Sequence, residues 1–258
     1  MASLVTHLVI GERVFAQLPQ FDVTDYAPFL LGCLLVDVNN LPGIDRRRTH
    51  FAGTLTEDGP AAFTTMCTGF LRQRDELLLC PWNELDGTGQ AFVAGYLCHL
   101  AADEEWKRLA WSTLSSLGIE SVAELPVPGD VLMTAFSVMS NKTFINHSAI
   151  VMALSEATVP DVMTHVPHAA FQAMWDLIQD HVLNGHTPES FFALLLREGR
   201  SNAEVQVIRE RHARYWDEAL ALIRDMGGVE LYVQRAVQHS LEVMPRLWAE
   251  SSPPGEHR

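Results

Sequence analysis

Apolar residues recur along this chain at helical spacing from one end to the other. Residues 3–18 place Leu4, Leu8, Val14, Phe15 and Leu18 on one stripe of a helix, with His7, Gly11, Val14 and Leu18 along the adjacent line, so that His7 faces inward. Residues 26–38 are apolar on every side, as suits a helix buried among others, and end in Asp37 before the turn Asn39-Asn40-Leu41-Pro42-Gly43. A loop over 41–60 then carries His50, and residues 61–79 predict a helix closed by Cys80-Pro81-Trp82-Asn83. The spacing predicts a long central helix over 89–117, stopped by Gly118. Further helices are predicted at 129–140, 145–157, 160–184 with Pro167 as a kink or break, 188–198, 202–226 and 228–249. Gly199 and the pair Gly227-Gly228 mark turns. With no strand pattern, repeat or linker, the expectation is an all-α fold, one compact multi-helix domain over 1–250, and a disordered tail over 251–258.

Within the central helix, His99 and Asp103 stand four residues apart. Four residues turn through about 400°, so the two side chains lie one turn apart on one face and can share a metal ion. An imidazole nitrogen with a carboxylate oxygen suits zinc or another borderline divalent metal. The same spacing also fits a His and an Asp that only hydrogen-bond each other in a helical core, and the pair alone does not decide. His7, Asp37 and His50 add three more ligand-type residues in apolar or tightly patterned surroundings. Asp37, at a helix end where the macrodipole disfavours a carboxylate, needs a compensating cation, which a metal or the run Arg46-Arg47-Arg48 would supply.

Four short blocks carry these residues: Thr6-His-Leu-Val-Ile-Gly-Glu-Arg-Val14, Leu31-Gly-Cys-Leu-Leu-Val-Asp-Val38, Thr49-His-Phe51, and the stretch from Gly95 to Trp106. In this order they resemble blocks of the zinc-dependent phospholipase C and S1/P1 nuclease family, over about residues 3 to 110. The resemblance independently implies an all-α fold. It also implies that Asp37, His50, His99 and Asp103 surround one metal, that His7 reaches a second bridged through Asp103, and that Asp37 doubles as general base for the attacking water. Three departures stand out. Val36 replaces the Pro usual before this Asp; His99 with Asp103 is the only H-x3-[DE] pair among the eleven histidines; and no processed N-terminal amine is evident. The expectation is therefore one or two divalent ions, most simply zinc with iron or manganese as alternatives, and not a trinuclear centre. His147, Asp161, His165 and His168 are further candidates, each with the plainer reading of a helix cap or hydrogen-bonded core histidine; His181, His186, His212, His239 and His257 read as surface or helix-end residues.

Charge narrows the function classes. A net charge of -14, from 32 acidic and 18 basic residues, excludes a nucleic-acid groove and tells against the nuclease branch. The Arg46-to-Arg48 run reads as a solvated turn that could still meet one anionic head group. Cys33, Cys67, Cys80 and Cys98 lack framework spacing and predict reduced thiols in a cytoplasmic protein; the start of the chain lacks a basic and apolar leader pattern, and no apolar run is long enough to span a membrane. The function expected is metal-dependent hydrolysis of a phosphate ester on a small or amphipathic substrate, through a metal-bound hydroxide. The alternatives are a biosynthetic enzyme re-using the same metal for elimination, cyclisation or amide or ester hydrolysis, and a metal-stabilised helical module without turnover.

Overall fold

The structure, a computed structural model, describes residues 4–51, 65–116, 126–144, 147–183 and 187–249. They form one compact helical domain without strands: α1 (Leu4–Phe15), α2 (Tyr26–Leu35), α3 (Arg46–His50), α4 (Met66–Leu77), α5 (Gly87–Ser116), α6 (Gly129–Phe144), α7 (His147–Ser155), α8 (His168–Leu183), α9 (Pro188–Arg197), α10 (Asn202–Asp225), α11 (Gly228–Val243) and α12 (Pro245–Trp248). The predicted tail over 251–258 lies outside the described residues.

The central helix α5 runs 30 residues, about 45 Å at 1.5 Å per residue. Packed against it are α2 and α11, and α1 lies in contact with α2, α5, α6 and α11. Such a surround explains why α2 is apolar on every side: all eight residues from Pro28 to Leu35 are buried. Two glycines bring α2 and α5 together backbone to backbone. A Cβ at Gly95 would overlap the Phe29 carbonyl, and one at Gly32 would overlap that of Phe92. The close approach expected at Gly11 is also present, made by Cys33 and Leu30 of α2.

Several predicted boundaries move, each for a local reason. The 26–38 helix stays α-helical only to Leu35 and tightens into a 3-10 turn over Val36–Asn40, so Asp37 opens that turn and does not close an α-helix. His50 belongs to no loop: it is the last residue of the short helix α3, capped at its start by Asp45 and ended by Phe51 at φ 51°. Of the 61–79 helix, residues 61–64 lie outside the described set, and Leu78 leaves the helix to form an isolated antiparallel bridge with Met163. The predicted helix at 160–184 breaks at Pro167 as expected, but only the part from His168 is helical, since Pro160 and Pro167 each remove a backbone donor and disfavour helix in the residue before them. Likewise Pro245, with no N–H to donate, splits the 228–249 helix into α11 and α12. A second, smaller core of Phe192, Leu195, Val205 and Ile208 joins α9 to α10.

All four cysteines are free thiols, with Cys33, Cys67 and Cys98 buried. No helix among the described residues is long and apolar enough to cross a membrane.

Candidate metal centre

Four elements converge where α1, the turn after α2, α3 and α5 meet. The first supplies His7, the 3-10 turn Asp37, the end of α3 His50, and the middle of α5 both His99 and Asp103. All five are buried, with at most 4% exposure. His7 and His99 stack face to face, ring centroids 3.7 Å apart and planes within 7°.

The distances between ligating atoms are short and of one size. His50 Nε2 lies 3.4 Å from Asp37 Oδ1 and 3.6 Å from Asp103 Oδ2; His99 Nε2 lies 3.9 Å from Asp37 Oδ1; His7 Nε2 lies 3.6 Å from Asp103 Oδ1. A tetrahedral zinc with arms of about 2.0–2.1 Å sets its ligands about 3.4 Å apart along each edge, close to these separations. Two overlapping trios, His7 with Asp37 and His99, and His50 with His99 and Asp103, keep all their ligating atoms within 4.8 Å. Asp103 turns Oδ1 towards His7 and Oδ2 towards His50, so its carboxylate faces both parts of the cluster.

Hydrogen bonds from behind orient two of the rings. His99 Nδ1 donates to the Cys33 carbonyl at 2.7 Å, which leaves Nε2 pointing into the cluster. The Cys33 carbonyl is available because it lies in the last turn of α2, where intrahelical partners run out, and the Gly32–Gly95 contact brings it within reach. His50 Nδ1 meets the Thr49 hydroxyl at 2.8 Å; that hydroxyl spends its one proton on the Arg46 carbonyl or Asn39, and so accepts from the ring. Tyr96 fixes the same corner by donating its hydroxyl proton to the Thr49 carbonyl at 2.6 Å.

What remains is a set of buried polar atoms with nothing to bond. His7 Nδ1 and Nε2, His50 Nε2, His99 Nε2 and Asp37 Oδ1 have no hydrogen-bond partner. Orphaned polar atoms are costly in a core, at about 1–3 kcal/mol each, and five in one place are the mark of a site built for a ligand. Burial, followed by the neighbouring His7, pushes His99 down to about 3, so its ring is neutral and able to coordinate. Burial works against ionisation of Asp37, yet the imidazoles of His99 and His50 outweigh it and hold the carboxyl below the ordinary carboxylate range. The same balance, with His7 and His99 among the opposing groups, keeps Asp103 ionised. These His and Asp residues could hold a metal ion, and the donor set is one that zinc accepts.

Arg46, on the first turn of α3, reaches into the cluster: its guanidinium donates to Asp103 Oδ2 at 3.1 Å and lies 3.7 Å from Asp37 Oδ1. Of the three arginines in the run, Arg47 does pair with Asp45 on an exposed turn, and Arg48 donates to the His165 carbonyl, so the solvated-turn reading holds for only part of it. The compensating cation expected for Asp37 was the only signal pointing to Arg46.

Of the outlying candidates, Asp161, His165 and His168 do not join the cluster. Asp161 is exposed and the Asp161–His165 pair is not helical. His165 meets the Tyr96 hydroxyl at 3.3 Å, and His168 donates to the Val159 carbonyl at 2.9 Å, so both are structural. The His147 side chain, His186 and His257 lie outside the described residues. Of the histidines read as surface or helix-end residues, His181 does sit in the last turn of α8 but is buried, hydrogen-bonded to Ser190 of α9, and His212 is buried against Phe191 and Phe192 near Asp130. His239 is also not superficial; its Nε2 meets Glu104 at 2.7 Å, and that carboxylate also accepts from the Cys67 backbone N–H and faces Arg108, in a network beside the cluster.

Comparison of the chain with protein-family models, curated proteins and solved structures finds no match.

Proposed function

We propose that this protein is a metal-dependent hydrolase of the zinc phospholipase C and S1/P1 nuclease type, acting on a phosphate ester. The observation that carries the reading is the convergence of His7, Asp37, His50, His99 and Asp103 from four elements, their ligating atoms buried, facing one another and largely without partners. His50, His99, Asp37 and Asp103 would hold one divalent ion, and His7 with Asp103 would reach a second. A divalent ion in such a site brings the pKa of a coordinated water towards about 7 and withdraws charge from a phosphoryl oxygen. Asp37 is the side chain placed to accept a proton: it is ionised, and at 6% side-chain exposure it is the ligand-type residue nearest to solvent. The zinc preference rests on the imidazole-rich donor set, and the phosphate ester on the resemblance of the four sequence blocks to those of that family.

Elemental analysis of the purified protein, with His99→Ala and Asp103→Ala beside it, tests the reading. The wild type should carry one or two equivalents of zinc, and each variant should lose it while keeping a helical circular dichroism spectrum, because the core buries most of its area without the ion. A panel of phosphomonoesters, phosphodiesters and non-phosphate esters should show turnover confined to the phosphate substrates. Metal content near wild type in both variants would refute the site; turnover confined to non-phosphate esters would keep the site and replace the reaction with the biosynthetic alternative.

A further inference from the structure

Glu104 follows Asp103 on α5, and one residue of an α-helix turns the side chain through about 100°, so the two carboxylates serve different neighbours. Glu104 meets Cys67, the second residue of α4, and His239 of α11. The thiol sulfur, a carboxylate oxygen and an imidazole nitrogen of these three lie within 4.8 Å of one another. Cys67 is 2% exposed and Glu104 1%, while the His239 side chain, at 15%, keeps an edge towards solvent. Four donors surround the Glu104 carboxylate. The Cys67 N–H donates to Oε1 at 2.9 Å, His239 Nε2 and the Arg108 guanidinium donate to Oε2 at 2.7 Å and 3.4 Å, and the Cys67 S–H is the fourth. Together they fill the four lone-pair positions of a carboxylate. Two of them, the thiol and the imidazole, become metal ligands once the donated hydrogen is gone; the backbone N–H and the guanidinium remain donors and hold the carboxylate in place. A divalent ion can thus take the place of two hydrogen bonds without leaving a buried polar atom unpaired. Burial, then the Glu104 carboxylate, keeps the Cys67 thiol well above its ordinary pKa, which makes it a poor free nucleophile.

We propose that Cys67, Glu104 and His239 form a second divalent-metal site, separate from the first centre and selective for a thiophilic ion such as zinc or cobalt(II). Sulfur, nitrogen and oxygen donors suit such ions, whereas magnesium and calcium take oxygen alone. On binding, the Cys67 thiol releases its proton to solvent, His239 moves its ring hydrogen from Nε2 to Nδ1, and Glu104 keeps its charge. One thiolate and one carboxylate then match the two charges of the ion. Bonds of about 2.3 Å to sulfur and about 2.0–2.2 Å to nitrogen and oxygen set tetrahedral ligands roughly 3.3–3.6 Å apart. His239 Nε2 and Glu104 Oε2, now at 2.7 Å, would open by less than about 1 Å, and the sulfur, within 4.8 Å of both, would close in. Three protein donors leave the fourth position to water, on the side where His239 meets solvent. The ion would tie the start of α4 to α11 across α5. Its single equivalent comes on top of those of the first centre and stays in His99→Ala and Asp103→Ala.

Titration of cobalt(II) into reduced, metal-free protein under nitrogen tests this. A sulfur-to-cobalt charge-transfer band in the near ultraviolet arises only from a bound thiolate, and the first centre has no sulfur among its ligands. The band should saturate at one equivalent in wild type, and equally in a variant carrying both His99→Ala and Asp103→Ala, so a failure of the first centre leaves this result intact. It should vanish in Cys67→Ser. In Glu104→Gln and His239→Gln, cobalt affinity read from the band should fall by more than the about 10–100-fold that loss of an outer hydrogen bond costs. His239 is the most exposed of the three, so His239→Gln keeps the test open if Cys67→Ser melts early. No sulfur band in wild type would overturn the site and leave a hydrogen-bonded tie among three helices. A band that survives Cys67→Ser would belong to another thiol and overturn it as well. A band lost with His99 and Asp103 would make the sulfur part of the first centre, which overturns the separation.

Discussion

Asp37 combines two properties that one carboxylate rarely holds together: it faces the imidazoles of His50 and His99, and its Oδ1 has no hydrogen-bond partner. Asp37→Asn keeps the shape and one oxygen donor but removes the charge and the capacity to accept a proton. With His50, His99 and Asp103 intact, metal should largely remain in this variant while turnover falls at least about a hundredfold, the scale of lost general-base assistance. His50→Ala should lose metal and activity together. Equal metal loss in the two variants would make Asp37 a ligand first and send the search for a base elsewhere, with Glu104 next along α5. At this scale the five ligand-type residues were legible, because each stands in an apolar or patterned block. Arg46 and Thr49 were not. Nothing in the local sequence separates an arginine that bridges two buried carboxylates from its two neighbours, or a hydroxyl that sets a tautomer from one that caps a turn.

The α2–α5 contact sets where His99 can point. Gly95→Ala would push a methyl group into the Phe29 carbonyl, and since backbone cannot rotate aside as a side chain can, the helices must separate. The Cys33 carbonyl would leave His99 Nδ1, so that this variant should lose metal affinity about 10–100-fold, as for other losses of a ligand's outer hydrogen bond. It should also lose about 1–3 kcal/mol or more of stability from overpacking. Metal titration together with thermal melting checks both, and unaltered zinc affinity would mean that the carbonyl is dispensable for orienting the ring. Helices as units were well marked by their apolar period. Their ends were less so, wherever backbone chemistry overrode the pattern: Pro245 divides a helix that the apolar spacing would continue, no helix forms before Pro167 although the spacing starts one at 160, and Leu78 trades its helical place for pairing with Met163.

Across the whole molecule, buried histidines couple the fold to acid. Burial pushes His181 down to about 4, and burial together with Arg48 does the same to His165. The unfolded chain takes up these protons below about pH 6.5, whereas the folded one does not until about pH 4, so stability is full above that window and declines as pH falls through it. For His181 alone the loss at pH 5 is at most about 2 kcal/mol. His181→Gln should flatten that part of the profile, read as melting temperature against pH from 7 to 4; an identical slope in the variant would show that His181 takes up its proton as readily in the fold as in the unfolded chain. One property of the centre reaches beyond equilibrium. All five ligand-type residues lie between positions 7 and 103, while α11, which packs on both α1 and α5, ends at Val243. At about 5–20 residues per second of synthesis, the ribosome needs about 7–28 s to travel from Asp103 to the end of α11. A nascent chain thus carries all five ligand-type residues for seconds before the helix that packs on α1 and α5 exists, and under the proposed function an ion reaches them during translation without any gate in the finished protein.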